Sequence, residues 1–354
     1  MNLIYKINEF AIQFFRKQFF NRVKSNKKVR LPKFIAWDCT RRCNLHCEHC
    51  GASKESYAEE LTTAEIKKVI DDISGIKRGF FGATGGEPLI RADILDVLAY
   101  ASEKGLKTGF ASNGFLIDQQ KAREIKQAKI SSIQISLDGD ADVHNKIRNN
   151  AQSFDRVISA IKNLQEVKIP TVSVATTLTP SNLDQLEILC DLLKKLKVQK
   201  WRISVVMPIG RAEDSGNLLL SASQLKELFE FIKINNQKGI YIYMAETLPF
   251  LANYEKVLRD GPVLCPVGIT ACCIGVNGTV RGCPEQPDTP EFIEGTIKEK
   301  SILQIWQEGF KKYRLNETVN SDEKCQNCQD KNKCFGGCSV MRLGGNHCIY
   351  DLLK

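Results

Sequence analysis

The chain has 354 residues, of which 43% are hydrophobic and 26% charged, and a formal net charge of +9. This is the composition of an ordinary globular protein, long enough for one large core and a smaller domain, with no apolar tract that could cross a bilayer. The charge is moderate and spread out, so we expect no nucleic-acid partner. The 14 cysteines are unusual. Because no signal peptide precedes them, metal ligation in a reducing cytoplasm explains them better than disulfides do.

Residues 1–33 form a basic amphipathic segment in which aromatic and aliphatic residues alternate with Lys and Arg at helical spacing. The pattern predicts a helix that ends in the polar run before Pro32. Such a helix could contact a membrane surface or a partner. We favour the alternative that it caps one end of the core, because apolar faces usually meet the core.

From Phe34 to about Tyr243, strand-like and helix-like segments alternate. The predicted strands are 34–38, 79–83, 107–111, 132–137, 171–177 and 201–206. The predicted helices are 62–74, 91–104, 118–128, 153–166, 182–197 and 221–238. This order predicts an α/β fold of six parallel strands with helices outside them, in which functional groups follow the carboxyl ends of the strands.

A cysteine-rich loop follows the first predicted strand. Cys43, Cys47 and Cys50 stand at CxxxCxxC spacing, which suits a 4Fe–4S cluster better than a redox dithiol. Three ligands leave one of the four irons open, and the amine and carboxylate of a methionine-like cofactor can chelate it. Half of a zinc site or a purely structural cluster are the alternatives. Cys39 is predicted to be a buried small hydrophobe, because a fourth ligand would close the site.

Further motifs stand at the ends of the later strands. The paired glycines of Gly85-Gly86-Glu87-Pro88 allow close approach of a ligand to the backbone. Ser112-Asn113-Gly114 is explained equally well as a structural turn. Ser136-Leu137-Asp138-Gly139 is followed by His144, predicted to be structural, and by Arg148, which could pair with a ligand carboxylate or form a surface ion pair. Cys190 is predicted to be a core residue, and Arg211 borders the expected cleft.

The cysteine density rises again toward the C-terminus, where the order includes CxxCxxxxxCxxxC. Asn277-Gly278 predicts a hairpin with a two-residue turn, which pairs Val276 with Thr279 and therefore Cys272 with Cys283. Since strand side chains alternate, this register predicts Cys272 as a metal ligand and Cys273 as a bystander.

Together these motifs resemble the radical S-adenosylmethionine (SAM) superfamily with a C-terminal SPASM extension. The resemblance covers about residues 34–350 and implies a partial (β/α)6 TIM-like barrel at 34–245 and a small cysteine-rich iron-sulfur domain at 262–350. It implies SAM as cofactor, with contacts from Gly85, Gly86, Glu87, Ser136 and Arg148, and three 4Fe–4S clusters, one that binds SAM and two auxiliary.

The resemblance also implies the cluster ligands. The SAM-binding cluster takes Cys43, Cys47 and Cys50. The first auxiliary cluster takes Cys265, Cys272, Cys283 and Cys338, and the second takes Cys325, Cys328, Cys334 and Cys348. Zinc held by the C-terminal cysteines is the alternative.

The implied reaction is hydrogen abstraction from a substrate carbon by a 5′-deoxyadenosyl radical, giving an oxidation or a bond formation. A peptide or protein substrate is the first hypothesis. Small-molecule oxidation, for example of a tetrapyrrole side chain, is the alternative, and an iron-sulfur electron carrier is a distant one. In sulfatase-maturing relatives a catalytic Asp directly follows the hairpin cysteine, whereas this chain has Pro284 and then Glu285.

Two partners are also implied. A flavodoxin- or ferredoxin-type protein is expected to supply the electron. The segment ahead of Phe34 is shorter than a leader-peptide domain of ordinary size. Leader recognition is therefore expected from a separate protein or from the N-terminal segment.

Overall fold

The computed structural model describes residues 29–51, 59–214, 218–236, 238–245, 248, 251, 254–258, 265–315, 322–334, 336–343 and 348. Of the N-terminal helix predicted within residues 1–33, residues 1–28 lie outside this set, and residues 29–33 are not helical. One ten-stranded sheet forms the centre of the fold, in the order β10-β9-β8-β1-β2-β3-β4-β5-β6-β7. The strands are β1 (Phe34–Thr40), β2 (Phe80–Gly85), β3 (Lys107–Ser112), β4 (Ser132–Ser136), β5 (Thr171–Leu178), β6 (Lys200–Val205), β7 (Tyr241–Met244), β8 (Ala271–Ile274), β9 (Thr279–Arg281) and β10 (Gly295–Thr296).

Helices connect the parallel strands and cover the outer face of the sheet. Those in the strand-helix repeats are α1 (Thr63–Ile73), α2 (Ile94–Glu103), α3 (Gln119–Gln127), α4 (Ala141–Arg148), α5 (Ser153–Glu166), α6 (Leu186–Lys195) and α7 (Ala222–Asn235). The later ones are α8 (Glu255–Leu258), α9 (Ile302–Glu308), α10 (Lys311–Arg314), α11 (Glu323–Gln326) and α12 (Lys331–Cys334). Short 3-10 turns lie at Pro88–Ile90, Leu183–Gln185 and Gly210–Asp214. Among the described residues, none of the helices combines the length and apolarity needed to cross a membrane.

Alternation along the strands creates two different faces. In β1, Ile35, Trp37 and Cys39 are fully buried in the main hydrophobic core beneath the helices. Ala36 and Asp38 point to the other face, because successive side chains of a strand alternate. The same alternation in the neighbouring strands gives the barrel a helix-covered outside and an inner face that leads to the carboxyl ends of the strands.

Helix α1 shows how the local sequence fixes the outer layer. Its N-cap Thr62 accepts a hydrogen bond from the backbone of Glu65, and the Glu65 carboxylate accepts one from the backbone of Thr62 at 2.8 Å. The helix then buries Ile66, Val69, Ile70 and Ile73, which recur at helical spacing. The apolar stripe against the sheet is therefore determined by sequence periodicity and a defined start.

The predicted fold class is confirmed, and each of the six predicted strands overlaps an observed strand. Two elements were not predicted: β7, which adds a seventh parallel strand beside β6, and α4, the short helix that carries Arg148. The parallel pairing of β8 with β1, which aligns Ala36 with Cys273, was not predicted either. The cysteine-rich region therefore continues the barrel sheet.

The predicted hairpin register is wrong by one residue. The Gly275 amide donates to the Thr279 carbonyl at 2.7 Å, so the loop between them has three residues. Gly278 lies in the left-handed region at φ 92°, as a three-residue hairpin requires. Cys273, and not Cys272, is consequently aligned with the β9 strand at Arg281.

Side-chain contacts explain the longer loop. The Asn277 Oδ1 atom accepts hydrogen bonds from the Thr279 amide at 3.1 Å and from its hydroxyl at 2.8 Å. The Asn277 side-chain amide donates to Asp288 at 3.1 Å. These bonds tie the turn to a carboxylate outside the hairpin, and the dipeptide signal alone does not contain that information.

Candidate active site and cluster sites

The CxxxCxxC loop directly follows β1 and brings its three thiols together. The pKa of Cys43 is raised by desolvation and then by Cys47, Glu87 and Cys50. The pKa of the buried Cys47 is raised by burial, and the Cys50 thiol adds to the shift. Each of these two thiols therefore lies within the electrostatic reach of the other cysteines of the loop. Cys39 is fully buried in the main core, which confirms its prediction as a small hydrophobe.

Arg211 fixes this loop from the far side of the barrel. Its Nε donates to the Cys47 carbonyl at 2.9 Å, and its backbone amide donates to the Cys50 carbonyl at 3.1 Å. Asn113 contributes a longer contact, from its side-chain amide to the Cys43 sulfur at 3.8 Å. Arg211 therefore orients the cysteine loop. The sequence predicted only that Arg211 borders the cleft.

The two glycines after β2 pack against the backbone that leads into the cysteine loop. The Gly86 amide donates to the Thr40 carbonyl at 2.7 Å. A Cβ on Gly85 would lie 2.3 Å from the Thr40 carbonyl oxygen, and one on Gly86 would lie 2.1 Å from that of Arg42. Gly85 also has φ 133°, which side chains rarely adopt. The glycines thus permit close approach of two protein segments, in addition to any ligand contact.

Glu87 lies behind this turn and is fully buried. Its carboxylate accepts hydrogen bonds from the Ser112 hydroxyl at 2.9 Å, the Asn113 amide at 2.8 Å and the Leu89 amide at 3.2 Å. Burial raises the pKa of Glu87 to about 7, although these hydrogen bonds act to lower it. Its contacts tie the GGEP turn to the end of β3, and its role as a direct SAM contact stays a prediction.

The motif after β4 forms a buried ionic group beside the cysteine loop. Arg148 Nε donates to Asp138 Oδ2 at 2.6 Å, and Arg148 Nη1 lies 3.6 Å from the Cys47 sulfur. Asp138 also accepts from the Thr177 amide at 3.0 Å. The alternative of a surface ion pair for Arg148 is wrong, since this pair is buried. Ser136 is partly buried at the end of β4, and its predicted SAM contact stays a prediction.

His144 is structural, as predicted. The backbone amide of Asp138 donates to its Nδ1 at 3.1 Å, and its Nε2 lies 3.0 Å from the Ser153 hydroxyl. Burial lowers the pKa of His144 to about 4, so the ring is neutral at physiological pH. Cys190 is fully buried in the main core, which also confirms its prediction.

The first group of C-terminal cysteines assembles on the inner face of β8. Cys273 aligns with Ala36 and therefore faces the barrel interior, whereas Cys272 aligns with Ile35 and joins the main core. The pKa of Cys283 is raised by burial, Glu285, Cys338, Cys265 and Cys273, in decreasing order. The structure thus brings Cys273, in place of the predicted Cys272, to Cys265, Cys283 and Cys338.

The second group brings together the four cysteines predicted for it. Burial raises the pKa of Cys334 to about 12, with contributions from Cys348, Cys325 and Cys328. Arg342 Nη1 lies 3.0 Å from the Cys325 sulfur. Cys338 thus lies with the first group and Cys334 with the second, in agreement with the resemblance.

Charged residues surround the inner face, and two of them, Asp38 and Arg281, were not selected from the sequence. Asp38 binds Arg281 at 2.7 Å and Arg41 at 2.8 Å through the same oxygen. Glu285 follows Cys283 and reaches the cysteine loop, since its Oε2 lies 3.4 Å from a Cβ built on Gly51. Only the alternation of Asp38 within a strand could have indicated its inward direction. The pairing of Arg281 with it left no signal in the sequence.

The donor chemistry fits iron-sulfur clusters. All three groups are thiol-only sets of three or four cysteines. Among the described residues, no three or more His, Cys, Asp or Glu side chains converge tightly enough to hold a single metal ion. A four-iron cluster is larger than one ion and takes one thiolate for each ligated iron.

Two family profiles match the chain in the two regions just described. The profile for the "Radical SAM superfamily" matches residues 37–193, and the SPASM profile for an "Iron-sulfur cluster-binding domain" matches residues 265–329. The chain belongs to the radical SAM superfamily. It is a radical SAM enzyme with a SPASM domain, and its cofactors are SAM and 4Fe–4S clusters.

Curated relatives of this radical SAM enzyme include a synthase and a maturase. An AdoMet-dependent heme synthase from Oleidesulfovibrio alaskensis is 28% identical over 336 residues, covering 89% of this chain and 85% of the relative. The Mycolicibacterium smegmatis mycofactocin maturase MftC is 28% identical over 319 residues, covering 88% of this chain and 79% of the relative. These relatives thus include both a maturase and a heme synthase.

Solved structures share the fold. Streptococcus suis SuiB bound to S-adenosylmethionine has a TM-score of 0.73 at 17% identity, over 92% of this chain and 77% of that one. The enzyme anSMEcpe with bound AdoMet has a TM-score of 0.69 at 19% identity, over 90% of this chain and 92% of that one. At these identities the likeness concerns the fold alone.

Proposed function

We propose that this radical SAM enzyme abstracts a hydrogen atom from a carbon of a peptide substrate and completes an oxidation or a crosslink. The observation that carries the proposal is the convergence of two thiol groups on one mouth of the barrel. The CxxxCxxC loop follows β1, and Glu285, two residues after Cys283, reaches Gly51 of that loop. A substrate in this mouth would lie between the SAM site and the first auxiliary cluster.

The proposed residue roles follow from the contacts. Cys43, Cys47 and Cys50 hold the SAM-binding cluster, and Gly85, Gly86, Glu87, Ser136 and Arg148 form the SAM site. Cys265, Cys273, Cys283 and Cys338 hold the first auxiliary cluster. Cys325, Cys328, Cys334 and Cys348 hold the second. When bound, SAM and its reduced cluster supply a 5′-deoxyadenosyl radical, and the protein contributes orientation and exclusion of water.

The charges at the mouth favour a peptide over a polycarboxylate. An arginine-lined cleft would favour a tetrapyrrole with its propionate groups, because guanidinium groups pair with carboxylates. The arginines around the thiols bind protein groups instead: Arg41 and Arg281 bind Asp38, Arg148 binds Asp138, and Arg211 binds the Cys47 carbonyl. The Glu285 carboxylate is exposed and can accept hydrogen bonds, which suits the amide groups of a peptide.

Oxidation of a tetrapyrrole is the second candidate. It is favoured by the relatives with the names AdoMet-dependent heme synthase and Fe-coproporphyrin III synthase. Since the chain is a radical SAM enzyme, we do not retain the electron-carrier alternative.

The deciding experiment compares substrates on the reconstituted enzyme under anaerobic conditions, with SAM and dithionite. One reaction contains a synthetic peptide encoded by a short Cys- or Gly-rich reading frame beside the gene, another contains iron-coproporphyrin III, and a third contains neither. The proposal expects the peptide to increase 5′-deoxyadenosine formation and to lose hydrogen by mass spectrometry. Stimulation by the porphyrin alone would replace the peptide with the second candidate.

A peptide that carries deuterium on its backbone and side-chain carbons makes the test specific. Deuterium found in 5′-deoxyadenosine would identify the abstracted hydrogen as coming from the peptide. A variant with all three loop cysteines changed to Ala is the matched control and should give neither product. A flavodoxin or ferredoxin as electron donor, and a separate leader-binding protein, belong to the same proposal and can replace dithionite or be added in turn.

A further inference from the structure

Both auxiliary cysteine groups have an arginine beside them that is anchored by an aspartate. In the first group, Arg281 and Asp38 bind at 2.7 Å with side-chain exposures of 0% and 1%. In the second, Arg342 lies 3.0 Å from the Cys325 sulfur and forms an ion pair with Asp322. The arrangement recurs although the two groups lie in different parts of the SPASM region.

Arg281 is directed at the first group by the hairpin register. It aligns with Cys273 across the hairpin, and its Nε donates to the Cys283 carbonyl at 3.3 Å. Directly opposed residues of an antiparallel pair lie on the same face of the sheet, so the Arg281 side chain lies on the face that carries Cys273.

Two carboxylates hold the Arg281 guanidinium in place. One Asp38 oxygen binds both Arg281 and Arg41, at 2.7 and 2.8 Å, and Arg281 Nη1 lies 3.5 Å from Asp288. The two carboxylates balance the two guanidinium groups, so the effect of Arg281 depends on the position of its charge beside the cysteines. Charges act strongly in such a buried region because the effective dielectric constant is low.

A positive charge beside an iron-sulfur cluster stabilises the reduced state, which is the more negative one. We propose that Arg281 and Arg342 are positioning residues, one for each auxiliary cluster, that raise the cluster's reduction potential. For the first cluster this favours receipt of the electron that an oxidised substrate gives up. The inference rests on the ligand sets proposed above and not on the identity of the substrate.

The test is a redox titration followed by electron paramagnetic resonance, without SAM or substrate. The starting protein carries Ala at Cys43, Cys47 and Cys50, so that two auxiliary clusters remain. In each step dithionite is oxidised and one cluster gains one electron. Because no turnover is involved, failure of the substrate assay would leave this measurement unaffected.

In this background, Arg281→Gln should lower one midpoint potential by at least about 59 mV, a tenfold decrease in the equilibrium constant of a one-electron reduction. The other potential should stay unchanged. Arg342→Gln should lower only the other midpoint potential. Its effect should be smaller, because the Arg342 side chain is 23% exposed. Arg281→Lys, which keeps the charge, should preserve both potentials.

Unchanged potentials in both Gln variants, or equal shifts of both clusters, would overturn the proposal. If Arg281→Gln loses iron, the double variant D38N/R281Q decides, because it removes both charges of the buried 2.7 Å pair. The double variant should still lower the first potential, by less than the single variant, because the guanidinium that it removes bonds the carbonyl of the proposed ligand Cys283 at 3.3 Å. A first potential that stays the same or rises in it would contradict the role of Arg281.

Discussion

Neighbouring cysteines on β8 give the sharpest test of the structure. Cys273 faces the barrel interior with Cys283, whereas Cys272 packs into the main core with an exposure of 1%. Substitution of each by Ala removes one sulfur atom at adjacent positions. The two variants should differ in cluster content, although their sequence change is almost the same.

Three 4Fe–4S clusters contain about 12 irons per chain, so Cys273→Ala should reduce the content to about 8 if the first auxiliary cluster depends on four thiolates. Cys272→Ala should keep about 12. It removes one buried atom from a packed core, at a cost on the order of 1 kcal/mol in the free energy of unfolding. We therefore expect a lower melting temperature in Cys272→Ala without loss of iron.

Iron and sulfide are measured after anaerobic reconstitution, and thermal unfolding of the same samples is followed by circular dichroism. A four-iron loss in Cys272→Ala with full iron in Cys273→Ala would refute the assignment from the hairpin register. Loss in both variants would mean that the hairpin itself has been disrupted, which far-ultraviolet circular dichroism would reveal.

Three further expectations concern the radical SAM half of the molecule. Ala at every cysteine of the 43–50 loop should abolish 5′-deoxyadenosine formation and leave about 8 irons per chain, and activity in that variant would contradict the mechanism. Gly86→Ala puts a Cβ 2.1 Å from the Arg42 carbonyl oxygen, so we expect a displaced loop and at least tenfold weaker SAM binding by calorimetry, whereas the open Gly75→Ala control should bind normally. Burial holds the pKa of His144 near 4, below its unfolded value near 6.5. The buried neutral ring therefore contributes fully to the free energy of unfolding above pH 6.5. This contribution, about 3 kcal/mol at most, is lost as the pH falls toward 4. His144→Gln should flatten this part of the curve of stability against pH, measured by chemical denaturation of the apoprotein.

The repeating part of the fold was predictable because its signals are local. Helix α1 has a capping box and an apolar stripe, and the strands are short apolar runs between turn residues. The 43–50 loop was equally accessible, since the CxxxCxxC spacing of its three thiols lies within eight residues of sequence. Cys39 and Cys190 could be assigned to the core by the same local reasoning.

The C-terminal region was less accessible because its arrangement depends on long-range contacts. A two-residue and a three-residue turn at Asn277-Gly278 differ by one residue in register, and that difference exchanges the faces of Cys272 and Cys273. Asp288, outside the hairpin, stabilises the longer turn. The pairing of β8 with β1 then gives each cysteine its surroundings, across more than 200 residues of sequence.

By itself, then, the sequence determined which residues can bind clusters and on which local segments they stand, because spacing and periodicity are properties of neighbouring residues. Tertiary structure decided which thiols share a group and which charges accompany them. Arg281 illustrates the distinction: its partner Asp38 is 243 positions away, and the pair forms only when the hairpin joins the barrel sheet. A buried ion pair of this kind is specified by the packing of two strands that no local pattern connects.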